Sequence, residues 1–283
     1  MSPRIDQARS LRSVERAEAK VIPFRRRSGD AVGRTIAITS GKGGVGKTQI
    51  AANLGVALAR RGQRVLLLDA DLGLASLDLA LGIRPERDLR SVITGEYSLE
   101  EILVEGPAGV RLAPACPGRY DMANLGPAER RRLLDAVESM TAHFDALIID
   151  TGAGIGSNAV GFAAQADDVV LVTTPDPTAL RDGYAMAKVL NRRSGIDRIK
   201  LVANQVSGEA EGAMLHERID SIIRRFLTLE LEYLGAVPTD EQVRVAVSNG
   251  EPFVLQSPQG AAGRAMDVLV RRLCPQLTPR EVC

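Results

Sequence analysis

Residues 36–48 read Ile-Ala-Ile-Thr-Ser-Gly-Lys-Gly-Gly-Val-Gly-Lys-Thr, and few folds accommodate such a stretch. Residues 35–39 form a short, apolar, β-branched run, the pattern of a buried strand. Gly41 to Thr48 then fits G-x-x-x-x-G-K-[ST], and residues 49–61 continue at helical period up to Arg61-Gly62. Strand, glycine loop and helix in that order predict a phosphate-binding loop. Glycines let backbone N–H groups close around an anion with no Cβ in the way. The helix N-terminus adds partial positive charge. Gly41, Lys42, Gly43, Gly44, Val45, Gly46, Lys47, Thr48 and Gln49 are therefore the phosphate-site candidates. Lys47 is expected to reach the β- and γ-phosphates, and Thr48 to place its hydroxyl on Mg²⁺.

Two more apolar runs end in acids. Residues 64–69 lead to Asp69-Ala-Asp71, and residues 144–150 lead to Asp150 followed by Thr-Gly-Ala-Gly-Ile-Gly. Carboxyl ends of strands are where α/β sheets collect ligands. Asp150 is the expected Mg²⁺ holder, directly or through water. Gly152, Gly154 and Gly156 would let the segment behind it move with a γ-phosphate. The later chain alternates strand and helix: strands at 168–174, 198–204 and 229–237, helices at 178–193 and 209–226. Such alternation predicts an α/β fold, a three-layer arrangement with a mostly parallel sheet and right-handed crossovers. Between them, residues 88–94 and 98–105 read as short helices, 109–114 as a strand, 114–126 as a long loop, and 127–142 and 257–273 as helices.

Lys42 gives the loop the form Lys-Gly-Gly-x-Gly-Lys-Thr, and here the sequence resembles the deviant P-loop ATPases that include MinD, ParA and the nitrogenase iron protein. The resemblance implies ATP and Mg²⁺ as cofactors and an ATP-bound homodimer in which Lys42 reaches the partner's nucleotide. A cation supplied in trans would neutralise charge on the transferring phosphoryl group, as an arginine finger does. Residues 69–82 (Asp-Ala-Asp-Leu-Gly-Leu-Ala-Ser-Leu-Asp-Leu-Ala-Leu-Gly) are close to the same family's switch segment. There Asp71 would position the attacking water, with Asp69 supporting the Mg²⁺ shell and the loop. Asn204, ending Leu-Val-Ala-Asn, matches an asparagine that reads adenine, and Pro238 and Asp240 would line the same base pocket.

The chain has 283 residues, 45% of them hydrophobic, enough for one α/β domain over residues 34–274 with short appendages. Its net charge of +1 conceals an uneven distribution: residues 1–33 carry +4 and the remainder −3. A near-neutral body argues against direct DNA binding. Residues 1–33 form an arm, with a thin apolar stripe at Ile5, Ala8, Leu11 and Val14 followed by Pro23 and Arg25–Arg27. Within it, Asp6-Gln7-Ala8-Arg9-Ser10-Leu11-Arg12 fits D-Q-A-x-x-L-R, the N-terminal motif of FlhG-type flagellar ATPases.

That likeness implies a switch controlling flagellar number or placement, through an FlhF-type signal-recognition GTPase and, in some bacteria, a flagellar transcription activator. Asp6, Gln7, Ala8, Leu11 and Arg12 would carry the GTPase contact. The alternative from the same family is a MinD/ParA-like positioning ATPase for a division site, chromosome or plasmid. Cys116, Cys274 and Cys283 lack metal-ligand spacing and read as reduced thiols, and His143 and His216 stand apart. No apolar run is long enough to span a membrane. Residues 275–283, interrupted by prolines, do not resemble the amphipathic targeting helix of MinD. A cytoplasmic protein, at most peripheral at the inner membrane or cell pole, is the expectation.

Overall fold

The computed structural model describes residues 33–116, 118, 120–123 and 125–275. The arm that carries Asp6, Gln7, Ala8, Leu11 and Arg12 lies outside them, as do residues 276–283.

Strands β1 (Arg34–Thr39), β2 (Val65–Ala70), β3 (Val104–Glu105), β4 (Arg111–Ala113), β5 (Ala146–Thr151), β6 (Asp168–Thr173), β7 (Arg198–Val206) and β8 (Glu230–Pro238) form one sheet. Their order is β3-β4-β2-β5-β1-β6-β7-β8. All neighbours run parallel except β3 and β4. The expected helix over 98–105 therefore stops early. Its capped turn, with Ser98 and Glu101 in a capping box, ends at Ile102, and Val104–Glu105 pairs antiparallel with β4.

A parallel sheet is covered on both faces, so its strands are apolar throughout. Side chains still alternate between faces at period two. Leu66, Leu68, Leu147 and Ile149 enter one core, and Val65, Leu67, Ile36, Ile38 and Ile148 enter the other. The second core is closed by α1 (Lys47–Ala59), α2 (Leu77–Leu81), and three C-terminal helices. The first lies under the helices between Leu89 and Phe226. Of the helices between β2 and β5, α3 (Leu89–Thr94) and α4 (Leu99–Ile102) match the expected pair. The expected loop at 114–126 holds a further short helix, α5 (Tyr120–Ala123), before α6 (Pro127–Met140). A turn of helix that short has no apolar period to read.

Gly55 permits α1 to lie close on the sheet, since a Cβ there would stand 2.9 Å from Leu67 Cδ2. Helix α1 leaves β1 toward one face, whereas α7 (Ser157–Ala163) leaves β5 toward the other. Connections that diverge in this way open a crevice at the carboxyl ends of the strands.

The opposite edge of the sheet is tied by charges. Arg34 on β1 pairs with Asp168 on β6, Lys200 on β7 lies 3.0 Å from the same carboxylate, and Glu232 on β8 lies 4.0 Å from Lys200. Asp168 and Lys200 are almost fully buried. Asp168→Ala would leave Arg34 and Lys200 without the buried carboxylate they share, at a cost of about 3 kcal/mol. A denaturant titration is expected to show that loss with nucleotide affinity unchanged, because the ladder is remote from the crevice.

Candidate functional site

The first turn of α1 and the loop before it form the floor of the crevice. Gly44 (φ 80°) and Gly46 (φ 87°) adopt left-handed conformations that favour glycine. At Gly41 the constraint is space, since a Cβ would collide with the Asp182 carbonyl. Lys47 is the first residue of α1 and turns inward, its Nζ 3.0 Å from Asp150 Oδ1. Both are buried, Asp150 completely.

The second carboxylate oxygen, Asp150 Oδ2, is buried with no hydrogen-bond partner among the described residues. Burial pushes the Asp150 carboxyl up, and the Lys47 ammonium and Thr48 hydroxyl pull it back. An orphaned, anionic oxygen beside the loop threonine is a poor structural group and a good metal or metal-water acceptor. The Thr48 hydroxyl itself accepts a hydrogen bond from Ser76 Oγ at 3.3 Å. The donor set of Thr48 and Asp150 thus fits Mg²⁺.

Asp69 and Asp71 divide their work. Asp69 Oδ1 accepts from the Asp71 backbone N–H at 3.2 Å, and Oδ2 from those of Ser76 and Leu77 at 3.1 and 3.0 Å. Of the support for loop and Mg²⁺ shell expected of Asp69, the structure shows the loop. Its carboxylate folds the segment from β2 to α2 around itself. Burial, reinforced by the nearby Asp150, raises its pKa to about 7. Asp71 remains half-exposed, and its Oδ1 would stand 3.5 Å from a Cβ at Gly152. Asp71 thus faces the segment after Asp150 across the mouth of the crevice. Gly154 donates its N–H to the Ser40 carbonyl at 2.9 Å, which ties that segment to the start of the phosphate loop.

Lys42 points away from its own loop. Its Nζ lies 2.6 Å from Thr178 Oγ1 and 3.3 Å from Asp176 Oδ2, at the N-terminus of α8 (Pro177–Ser194). Asp176 caps that helix by accepting from Thr178 and Ala179 N–H groups. The Thr178 hydroxyl, those N–H groups and Lys42 hold its carboxyl below the usual range. Neither Asp176 nor Thr178 was singled out by sequence reasoning. Asp-Pro-Thr is a recognisable helix start, but its contact with Lys42 spans 134 residues.

The residues expected at the base pocket also brace the elements around it. Asn204 is buried, and its Nδ2 donates to the Val45 carbonyl at 2.8 Å, bracing the phosphate loop. Gln49 is half-buried, and its carbonyl accepts from Asn53 Nδ2 at 2.8 Å. Asp240 caps α10, which follows the α9 helix (Glu209–Phe226) and β8 and covers Glu241–Asn249. Its Oδ1 accepts from Gln242 N and its Oδ2 from Ala262 N, at the start of α12 (Ala261–Leu273). The short α11 (Phe253–Gln256) intervenes, so the helix expected over 257–273 begins four residues late. Pro238 ends β8, half-buried. Among the described residues no group of three or more His, Cys, Asp or Glu residues forms a metal cluster, and no helix is long and apolar enough to cross a membrane.

A parallel sheet that brings a glycine loop, a buried lysine–aspartate pair and a second carboxylate segment to one edge defines a P-loop nucleoside triphosphatase. The profile of the CobQ/CobB/MinD/ParA nucleotide binding domain matches residues 36–253. Antiactivator FleN of Pseudomonas aeruginosa is 41% identical over 240 residues, covering 85% of this chain and 86% of that one. The flagellum site-determining protein YlxH of Helicobacter pylori is 35% identical over 243 residues, covering 86% and 82%. The crystal structure of the cell division ATPase MinD from Pyrococcus furiosus superposes with a TM-score of 0.72 at 29% identity, covering 86% of this chain and 99% of that one. The chain belongs to the MinD/ParA family of nucleotide-binding ATPases, on the side of FleN and YlxH.

Proposed function

We propose that the protein is an ATP-driven dimerising switch that controls flagellar number or placement. The observation that carries the chemical part is the buried Lys47–Asp150 pair with its free carboxylate oxygen next to Thr48. Thr48 and Asp150 would hold Mg²⁺, which supplies charge neutralisation on the phosphates when bound. Lys47 cradles the phosphate end, and Asp71, at the crevice mouth, orients the attacking water. Lys42 stands on the exposed side, where a second copy of the chain would bring its own nucleotide. Leaving the Asp176–Thr178 cradle for the partner's site makes dimerisation a condition of hydrolysis.

The flagellar part rests on the likeness to FleN and YlxH and on the Asp6–Arg12 motif. Its partner is an FlhF-type GTPase bound through Asp6, Gln7, Ala8, Leu11 and Arg12, with a flagellar transcription activator as a second client. Such a switch acts in the cytoplasm and at the inner membrane or pole where its partners assemble. Asp71→Ala is expected to trap an ATP-bound dimer that does not turn over. Used as bait, that dimer should retain the GTPase when full-length and lose it when residues 1–32 are deleted. Normal hydrolysis by Asp71→Ala would remove Asp71 from its role, and retention by the truncated bait would remove the motif from its own.

A further inference from the structure

Where the segment folded by Asp69 ends, a groove opens on the surface. Its cavity of about 480 Å³ is lined by Leu81, Pro107, Gly250, Pro252 and Leu255, together with Glu251. The end of α2, the end of α10 and the short α11 build it. A Cβ on Gly82 would stand 2.4 Å from the Gly250 carbonyl oxygen, so a side chain there would force α2 and α10 apart. Asp69 holds α2 at its other end through the Leu77 N–H.

The leucines at this groove are poorly used by the fold. Leu79 on α2 is 68% exposed and Leu255 on α11 is 40% exposed. The Leu79 carbonyl oxygen lies 3.4 Å from where a Cβ on Gly250 would stand, which puts that residue beside the cavity. Exposed leucines and prolines around an apolar hollow mark a contact surface, not a solvated one.

Charge and reach select the occupant. Glu251 is the one charged residue of the lining. A segment that is apolar on one side and basic overall therefore fits. Residues 1–33 carry +4 and present Ile5, Ala8, Leu11 and Val14 at three-residue spacing, with Arg4, Arg9, Arg12 and Arg16 next to them. Such spacing suits a helix laid in a groove. A second copy docking by the same face would instead set Glu251 against Glu251. The arm also starts at the matching edge of the sheet. Gly33 gives its N–H to the Thr141 carbonyl just ahead of β1, at the amino ends of the parallel strands. Pro107 precedes β4 at the same edge, three strands away. That separation is about 15 Å at the usual strand spacing. The chain from Leu11 to Gly33 spans up to roughly 70 Å when extended.

We propose that the groove formed by α2, α10 and α11 is an intramolecular docking site for residues 5–14 of the arm. The apolar stripe lies against Leu79 and Leu255, and the arginines lie beside Glu251. Ala8 and Leu11 belong both to that stripe and to the GTPase contact, so a docked arm is closed to the GTPase. This consequence rests on the reading above; the docking itself does not.

Amide hydrogen exchange of the full chain, read by mass spectrometry, tests both sides of the contact. Leu79→Asp and Leu255→Asp alter exposed residues, so the melting midpoint is expected to stay at the wild-type value. Exchange over residues 5–14 should accelerate about ten-fold or more in each, the scale of one apolar side chain returned to water. Leu11→Asp leaves the body untouched and should accelerate exchange over residues 5–14 and 249–256 alike. Dilution should leave the protection unchanged, because the contact lies within one chain. Equal exchange of the arm in the wild type and all three variants would overturn the proposal. Protection lost on dilution would overturn it too, assigning the groove to the arm of a second copy. No GTPase enters this measurement, so its failure leaves the Asp6–Arg12 contact standing, and failure of the bait experiment leaves the docking standing.

Discussion

Lys47→Ala is expected to weaken ATP binding by about a hundred-fold, the scale of a lost hydrogen bond to a charged group. The same change acts on the fold. Asp150 is completely buried, and Lys47 is its paired cation. Removing one member of a buried pair costs roughly 3–5 kcal/mol, because the other charge is left without compensation. Asp150 can escape that cost by taking up a proton, and burial already raises its pKa. The sign follows from linkage: a carboxyl whose folded pKa is raised contributes least stability once pH has passed through that value. Lys47→Ala raises it further. The variant should therefore lose most stability at pH 8 and recover part of the loss toward pH 5. Denaturant titrations at the two pH values read the difference, and an equal loss at both would show that Asp150 takes up no proton between them.

Lys42→Ala should behave in the opposite manner. The side chain is 40% exposed and its partners, Asp176 and Thr178, are exposed as well. Stability and ATP affinity are expected to stay at wild-type values. Dimer-dependent hydrolysis should fall by about a thousand-fold or more, the range for a trans-acting cation at a phosphoryl group. Sedimentation with ATP and a phosphate-release assay on one preparation separate the two effects. Full turnover by the variant, or by a wild-type monomer, would end the trans-lysine mechanism. Together the two lysines make a paired test: Lys47 affects binding and folding, Lys42 hydrolysis alone.

Much of this was legible in the chain before folding. Alternating strand and helix periods announced the α/β class, because apolar strands of five or six residues between helices can only be buried together in a parallel sheet. Gly41 to Thr48 announced the phosphate loop, because its chemistry is local: consecutive backbone N–H groups, left-handed glycines, and a lysine at a helix start. Asp71 and Asp150 were legible as strand-end acids. Elements whose pattern is short were not, as a bulge in β7 and the single turn at Tyr120–Ala123 show.

What the sequence alone determined is the identity of the groups that can hold phosphate and metal, since residue type and spacing within one turn or loop decide that. Which of the remaining polar side chains are free to act was decided only by tertiary structure. Asn204 gives one N–H to the Val45 carbonyl, and Asp240 accepts from the Ala262 N–H, contacts that no local pattern announces. Asp69 is held by Ser76 and Leu77, and Lys42 rests on a helix start 134 residues away. Hydrogen-bonding capacity is finite, and a side chain's partners are set by where the sheet order brings distant strand ends together.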